Sequence, residues 1–277
     1  MRELPEVEVL RHDLEREVVG KKIKSVEAKS MAVLGRYNNR KAFTSQLEGA
    51  KVVSVTRRGL HLLVNLDEDR VLVIALGDSG VLRRFGGKDT GLDAPEVTIT
   101  FTQGGGLQFA DPGGTGEMFV VPADGLSTAL PALDKLGVDP VEEPMAWTTF
   151  AELVLRRSTK MKTLLTDPTV IAGIGDVYAD EILFHAGVRH DRLSNTLSSQ
   201  EVRRLYRAVV ETLHEAVKYR GTSIGEHPFT DLSGKPGEYQ QHLAVYGREG
   251  QLSPRSRAPI QRVKFEGRWT YFCETQV

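Results

Sequence analysis

The pattern of apolar residues changes midway along the chain, and this change restricts the fold more than any other feature. Residues 22–121 contain seven short β-type segments separated by Gly, Asp and Asn turns, which predicts an antiparallel sandwich or barrel. After Trp147 the apolar residues recur at helical spacing, and the longest helical segment begins at a capping box of Ser198 and Glu201. Residues 259–273 are typical of a β-hairpin. Because strands and helices occupy separate parts of the chain, we predict an α+β fold.

The composition is that of an ordinary globular protein. The chain has 277 residues, of which 40% are hydrophobic and 26% are charged, so it is long enough for two domains. No apolar run approaches the roughly 20 residues that a membrane-spanning helix needs, and no signal-peptide pattern follows the first residue. We therefore expect a cytoplasmic protein that does not enter a membrane, and we expect it to be a monomer.

A segment with several prolines, residues 131–147, predicts a linker between differently organised parts. The β-rich part before it, residues 1–130, forms a first predicted domain with an N-terminal helix. The helical part, residues 148–235, forms a second. Residues 236–277, which contain the predicted hairpin, complete the chain.

The charge is unevenly distributed although the net charge is only −1. The C-terminal part is basic and has aromatic residues close by. Such a patch is typical of a nucleic-acid surface, but it also suits the solvated face of a small β element. The basic residues concerned are Arg248, Arg255, Arg257, Arg262, Lys264 and Arg268.

The first residues, MRELPEVEVLRHDL, predict a helix in which Pro5 and Glu6 open the first turn. Val7, Leu10 and Leu14 fall on one face of that helix. Carboxylates suit a helix N-terminus because the helix dipole favours negative charge there. The alternative is an active site built around the N-terminal amine.

Seven blocks of sequence resemble the formamidopyrimidine-DNA glycosylase and endonuclease VIII family, known as Fpg/Nei. They occur in the family's order from residue 1 to about 273. The resemblance implies an N-terminal β-sandwich, a helix-two-turn-helix domain and a C-terminal finger hairpin that enters DNA. The blocks are MRELPEVEVLR, RRGLHLLVNL, ALGDSGVLR, FADPGGTGE, MKTLLTDPTVIAGIGDVYADEILF, GKPGEYQQHLAVYGREG and APIQRVKFEGRWTYFC.

The resemblance also implies a catalytic mechanism, from which this chain departs. In the family the initiator Met is removed, a proline amine attacks C1′ of the damaged nucleotide, and the adjacent Glu moves a proton. This chain has Arg2 in place of that proline, and we expect Met1 to stay. Glu3 and Glu6 are the candidate catalytic carboxylates. We predict loss of the imine and lyase route; Glu3 either activates water or, with Glu6, is only a helix-start carboxylate.

The DNA-contacting positions implied by the family are partly kept. Lys162, Tyr246, Arg262 and Arg268 match family positions and are the candidate DNA-binding residues. Other positions have lost a donor, namely Leu60, Ala75 and Asp176. The residues that fill the gap left by a flipped base are replaced by Asp78, Gly113 and Thr115, which disfavours ordinary intercalation.

The four zinc-binding cysteines of the family finger are the clearest loss. Their positions hold Ser253, Ser256, Cys273 and Gln276, and one thiol cannot hold tetrahedral zinc. We therefore predict no metal and no cofactor, and a zincless finger that persists if Ile260, Val263, Trp269 and Phe272 pack well.

Together these observations predict a DNA repair protein that binds damaged or structurally unusual DNA. The leading hypothesis is a DNA glycosylase that hydrolyses the N-glycosyl bond of a damaged base with Glu3 as acid/base and without proline-based lyase activity. The alternative is a catalytically inactive paralogue that recognises lesions or recruits another protein. A module that binds only proteins is a third hypothesis.

Overall fold

The protein is described as a computed structural model over residues 2–277, so the predicted retention of Met1 falls outside the described residues. The chain forms two compact units. The first contains Arg2, Glu6–Asp134 and Arg220–Glu238, and the second contains Glu3–Pro5, Lys135–Tyr219 and Tyr239–Val277. The predicted domain boundaries stay predictions.

The first unit is built from two four-stranded antiparallel sheets. One has the strand order β1-β6-β7-β5 and the other β2-β3-β4-β8. Within the described residues neither sheet closes into a barrel, so the α+β prediction is confirmed and the barrel alternative is excluded. The elements are α1 (Leu4–Val18), β1 (Ile23–Ala28), α2 (Arg40–Thr44), β2 (Val52–Arg58), β3 (His61–Leu66), β4 (Arg70–Ala75), β5 (Val81–Phe85), β6 (Val97–Phe101), β7 (Gly106–Ala110), β8 (Glu117–Pro122) and α3 (Leu126–Ala129).

Helix α1 is buried more completely than its apolar pattern predicts. Val7, Leu10 and Leu14 lie in the core as expected, but Glu8 on the same helix is buried as well. Its carboxylate pairs with the fully buried guanidinium of Arg57, with 2.8 Å between Oε2 and Nε. A buried carboxylate requires such a partner, because removal of an unpaired charge from water is unfavourable.

The second unit is mainly helical. Helix α7 begins at the predicted capping box, in which Ser198 accepts from the Glu201 amide and Glu201 Oε2 accepts from the Ser198 amide at 2.7 Å. Helix α6 is capped at its C-terminus by Gly187, whose φ of 70° is the left-handed conformation that glycine readily adopts. The elements are α4 (Trp147–Leu155), α5 (Met161–Leu165), α6 (Asp176–Ala186), α7 (Ser199–Lys218), β9 (Gln261–Phe265) and β10 (Arg268–Phe272).

Strands β9 and β10 form the predicted finger hairpin. Their turn is Glu266-Gly267, and both residues have positive φ, as a two-residue hairpin turn requires. Ile260 is buried against Phe184 and Val245, and Phe272 is buried as well. The expected packing of Trp269 is wrong, because its side chain is 49% exposed.

The positions of the family's zinc ligands form a hydrogen-bond network instead of a metal site. Ser256 Oγ lies 3.0 Å from Cys273 Sγ, and the Cys273 amide donates to Gln276 Oε1 at 2.7 Å. Gln276 Nε2 donates to the Val188 carbonyl at 2.9 Å. One thiol, two hydroxyls and an amide do not fit tetrahedral zinc, which takes thiolate, imidazole and carboxylate ligands. The base of the finger is thus joined to the loop after α6 by hydrogen bonds.

Across residues 2–277 no helix is both long enough and apolar enough to cross a membrane.

We expect Ile260→Ala to destabilise the finger by about 2–5 kcal/mol, because it removes buried methyl groups and leaves a cavity. Trp269→Ala should cost less than about 1 kcal/mol although it removes a larger side chain, because Trp269 is exposed and stacks mainly on Arg262. Native-state hydrogen exchange of the β9 and β10 amides measures both. Equal loss of protection in the two variants would contradict this packing.

Candidate functional site

The carboxylate of Glu3 lies at the N-terminus of α6. It is 2% exposed, and it accepts hydrogen bonds from the amides of Gly175 at 2.7 Å, Val177 at 2.9 Å and Tyr178 at 3.3 Å. These amides have no partner within their helix, and the helix dipole favours negative charge at this end. The three amides therefore hold the Glu3 carboxylate in a fixed position at the start of α6.

The segment GIGD, residues 173–176, forms the cradle for this carboxylate. A Cβ at Gly175 would lie 2.5 Å from Glu3 Cδ, so only glycine allows this approach. The carbonyl of Gly173, which has a φ of 75°, accepts from the Leu4 amide at 2.8 Å. Sequence reasoning did not assign this role, because the residues joined are far apart in the chain.

Glu6 belongs to the first unit and binds a different backbone segment. Its carboxylate is buried and accepts from the Thr222 amide at 2.7 Å. A Cβ at Gly221, where φ is +80°, would lie 2.9 Å from Glu6 Oε1. Glu6 therefore fixes the start of the segment that follows Arg220 within the first unit, whereas Glu3 and the amides that bind it all belong to the second unit.

Arg2 is a buried residue in the first unit, with 3% of its surface exposed. Nη1 donates to the His227 carbonyl at 2.7 Å, and Nε donates to the Gly80 carbonyl at 3.3 Å. Burial lowers the pKa of the Arg2 guanidinium, while the charges of Glu6, Asp111 and Asp78 oppose this effect. An arginine nevertheless stays protonated at neutral pH, so this side chain is a held cation.

The residues at the family's gap-filling positions are bound to one another within the first unit. The Asp78 amide donates to Thr115 Oγ1 at 2.9 Å. Ser79 Oγ donates to Asp111 Oδ1 and accepts from the Gly113 amide at 2.7 Å. Side-chain hydrogen bonds therefore join the turn at residues 78–80 to the loop at residues 111–116. None of the three gap-filling positions, Asp78, Gly113 and Thr115, carries an apolar side chain.

Lys162, a candidate DNA-binding residue, is fully buried in the second unit. Its Nζ lies 2.8 Å from Asp180 Oδ1 and 3.3 Å from Asp176 Oδ1. It also donates to the Trp269 carbonyl at 2.9 Å and to Thr270 Oγ1 at 2.8 Å. An ammonium group has three N–H donors, and this environment engages them with the protein itself. The geometry is that of a buried ion pair joining α5 and α6 to β10.

Arg268 and Asp176 form an ion pair at the edge of the same cluster. Arg268 Nη1 lies 3.4 Å from Asp176 Oδ1, and Nη2 donates to Thr166 Oγ1 at 2.9 Å. The Arg268 side chain is 37% exposed, so it keeps access to solvent. Asp176 stands where the resemblance implies an asparagine, and its charge offsets that of the arginine.

The other two candidate DNA-binding residues lie in different surroundings. Tyr246 is half-buried with its ring 4.9 Å from that of Tyr271, and burial, with Glu3 and Asp176, raises the pKa of its hydroxyl. Arg262 is exposed, stacks on Trp269 at 4.2 Å and pairs with Glu249 at 3.0 Å. The structure thus places Lys162 with Arg268 around Asp176, while Arg262 has separate partners.

Two buried acids of α6 were missed from the sequence. Asp180 Oδ2 accepts from the Tyr271 amide at 2.8 Å, and Glu181 accepts from the amides of Ala244, Val245 and Tyr246. The signal was present in DVYADEILF, where two adjacent acids stand in an apolar helical run. Such acids are buried only when partners exist, and here they position the C-terminal segment.

Comparison with known proteins gives consistent matches over both units. The sequence model of the formamidopyrimidine-DNA glycosylase N-terminal domain matches residues 1–118, and that of the formamidopyrimidine-DNA glycosylase H2TH domain matches residues 136–227. A formamidopyrimidine-DNA glycosylase of Pelotomaculum thermopropionicum is 38% identical over 275 residues, which cover 99% of this chain and 98% of that protein.

Two solved structures are similar over nearly the whole chain. The MutM (Fpg) protein of Thermus thermophilus has a TM-score of 0.84 at 35% identity, covering 99% of this chain and 97% of that one. The Lactococcus lactis Fpg, solved in a complex with DNA containing an abasic site, has a TM-score of 0.85 at 31% identity, covering 98% and 97%.

We expect Asp180 to make stability depend on pH. Burial raises the pKa of its carboxyl from 3.8 to about 7, against the opposing charge of Lys162. A carboxyl with the higher pKa in the folded state binds its proton more tightly there. The free energy of unfolding should therefore fall as pH rises towards about 7, by at most about 1.4 kcal/mol per pH unit.

Thermal melting of the unsubstituted protein and of Asp180→Asn over this pH range measures the effect. The difference between their midpoints should shift steadily up to about pH 7 and then level off. Asp191→Asn is the control, because its exposed carboxyl pairs with Arg189, which lowers its pKa. If the melting midpoints of the unsubstituted protein and Asp180→Asn changed in parallel with pH, the Asp180 carboxyl would not be a source of the pH dependence.

Proposed function

The chain belongs to the formamidopyrimidine-DNA glycosylase family, and on this basis we propose that it binds damaged DNA and hydrolyses the N-glycosyl bond of a damaged base. Full-length relatives at 30–38% identity are formamidopyrimidine-DNA glycosylases. A structurally similar relative is solved in a complex with N7-benzyl-Fapy-dG DNA. Both matched domains are present in this chain, which supports the DNA repair assignment.

The placement of Glu3 is the observation that carries the proposal. A general acid or base must be held within reach of the proton it transfers. Three backbone amides and a glycine cradle hold this carboxylate in one orientation. We assign to Glu3 the activation of water. Glu6 has a structural role in this proposal, because its carboxylate binds the Thr222 amide within the first unit.

The side chain of Arg2 supports a reaction without an imine at residue 2. A covalent route needs an amine that is partly deprotonated, and the Arg2 guanidinium, which is permanently charged at neutral pH, cannot replace the proline amine of the family. The Arg2 guanidinium is moreover bound to backbone carbonyls of the 78–80 turn and of residues 227–228. In this proposal the Glu3 carboxylate acts on water and not on a covalent intermediate.

We propose that the DNA surface of the second unit uses exposed cations rather than Lys162. Arg262 and Arg268 keep solvent access, and a guanidinium matches the geometry of a phosphate. Tyr246 adds a neutral hydroxyl. Lys162 is a positioning residue in this proposal, because its buried ammonium fixes β10, which carries Arg268.

Strand scission on labelled DNA tests the reaction. Abasic, oxidised, alkylated and cross-linked duplexes are incubated with protein and then loaded directly or after hot alkali. We expect breaks on at least one damaged base only after alkali, and no covalent complex after borohydride reduction, because hydrolysis leaves an intact abasic strand.

Glu3→Gln should lower the rate at which these breaks form by about a hundredfold or more, because a positioned proton-transfer group contributes at least that much to the rate. Glu15→Gln, which makes the same change at an exposed position of α1, should keep them. Melting curves check that Glu3→Gln remains folded. Breaks before alkali with borohydride trapping would overturn the imine-free route, and intact DNA throughout in samples that bind would favour the inactive paralogue.

We expect Asp176→Asn to strengthen DNA binding by about two- to fivefold, because it removes a negative charge that competes with phosphate for Arg268. The slope of log affinity against log salt should steepen by up to about 0.9, the contribution of one phosphate contact. Glu211→Gln makes the same change of net charge on α7 and serves as the control. Equal affinity and slope in Asp176→Asn and the unsubstituted protein would contradict the proposed competition.

A further inference from the structure

Residues 223–230, here called the 223–230 segment, combine an anchored base with an exposed tip. Ile224 to Pro228 are exposed to solvent, whereas Phe229 is buried. At the base, Ser223 Oγ donates to the Phe229 carbonyl and accepts from the Gly237 amide at 2.7 Å. An exposed tip of this kind, with a glycine at Gly225, opens easily unless other groups hold its backbone.

The Arg2 guanidinium holds the backbone of that tip. Nη1 donates to the His227 carbonyl at 2.7 Å, and Nη2 lies 3.5 Å from the Pro228 carbonyl. The guanidinium also lies 5.7 Å from the centre of the Phe229 ring. Hydrogen bonds from a charged donor are roughly twice as strong as neutral ones, so these contacts restrain the tip.

The other side of the guanidinium binds a turn that is itself fixed. Nε and Nη2 each lie 3.3 Å from the Gly80 carbonyl, and Nη2 is 3.5 Å from that of Ser79. Asp111 holds this turn through the Ser79 hydroxyl and also accepts from the Gly116 amide. All three guanidinium nitrogens are therefore engaged, which a lysine with one nitrogen cannot reproduce.

We infer that Arg2 is a positioning residue that fixes the 223–230 segment against the 78–80 turn and thereby narrows the range of DNA substrates the protein accepts. A restrained segment binds matching ligands without an ordering penalty, but it cannot adapt to others. The exposed tip carries Glu226 and His227, whose side chains have hydrogen-bonding groups of the kind that read base edges in DNA. The statement about substrates rests on the proposed function, whereas the statement about the segment does not.

Hydrogen exchange tests the positioning role in the full chain without DNA. In Arg2→Lys and Arg2→Gln the amides of residues 223–230, except Pro228, should exchange at least about tenfold faster, because charge-assisted hydrogen bonds are lost. Arg16→Gln is the matched control on α1, where the Arg16 side chain is 74% exposed. Protection of the α1 amides checks that the variants remain folded. Unchanged exchange of the 223–230 segment in Arg2→Lys would overturn the inference.

DNA binding tests the substrate range separately. Arg2→Lys should bind the abasic, oxidised, alkylated and cross-linked duplexes with affinities that differ less from one another than those of the unsubstituted protein. If exchange accelerates but the ranking of affinities is unchanged, the part concerning substrates is wrong. If the unsubstituted protein binds none of these duplexes, the proposed function fails while the exchange result still decides the role of Arg2.

Discussion

A charge that leaves water must be met by dipoles or opposite charges, and this constraint organises the interior of both units. Glu3 and Glu181 each accept from three backbone amides, and Arg2 donates to backbone carbonyls. Glu181 and Arg2 therefore fix stretches of chain that lack regular secondary structure, whereas Glu3 binds the first turn of α6. The geometry of the candidate site follows from these contacts, because they determine where α6, the finger and the 223–230 segment lie within their own units.

Much of the architecture could be predicted because it follows from local patterns. Period-two segments with turn residues gave the two antiparallel sheets, and the Ser198 capping box marked the start of α7. The turn at Glu266-Gly267 marked the finger hairpin. Each of these signals is formed by residues that are close together in the chain, so a short stretch of sequence is enough to recognise it.

The site could be predicted only in part, because burial of a charge depends on residues distant in sequence. Lys162 matched a family position for DNA contact, but only the packing of β10 shows that its ammonium is enclosed. That Arg2 is unsuited to attack stays a prediction, and its carbonyl partners around residues 79 and 227 could not be read from the sequence next to it. Trp269 likewise fitted a core pattern while lying on the outer face of the hairpin.

The base of the finger is closed by Ser256, Cys273 and Gln276 through hydrogen bonds rather than by metal coordination. A domain held by metal reaches its folded state only as far as the free metal concentration allows, since binding and folding are linked. Here the folded fraction of the finger is set by its own sequence. We therefore expect the finger to stay folded during metal starvation or in the presence of a chelator, since these side chains make their contacts without a metal.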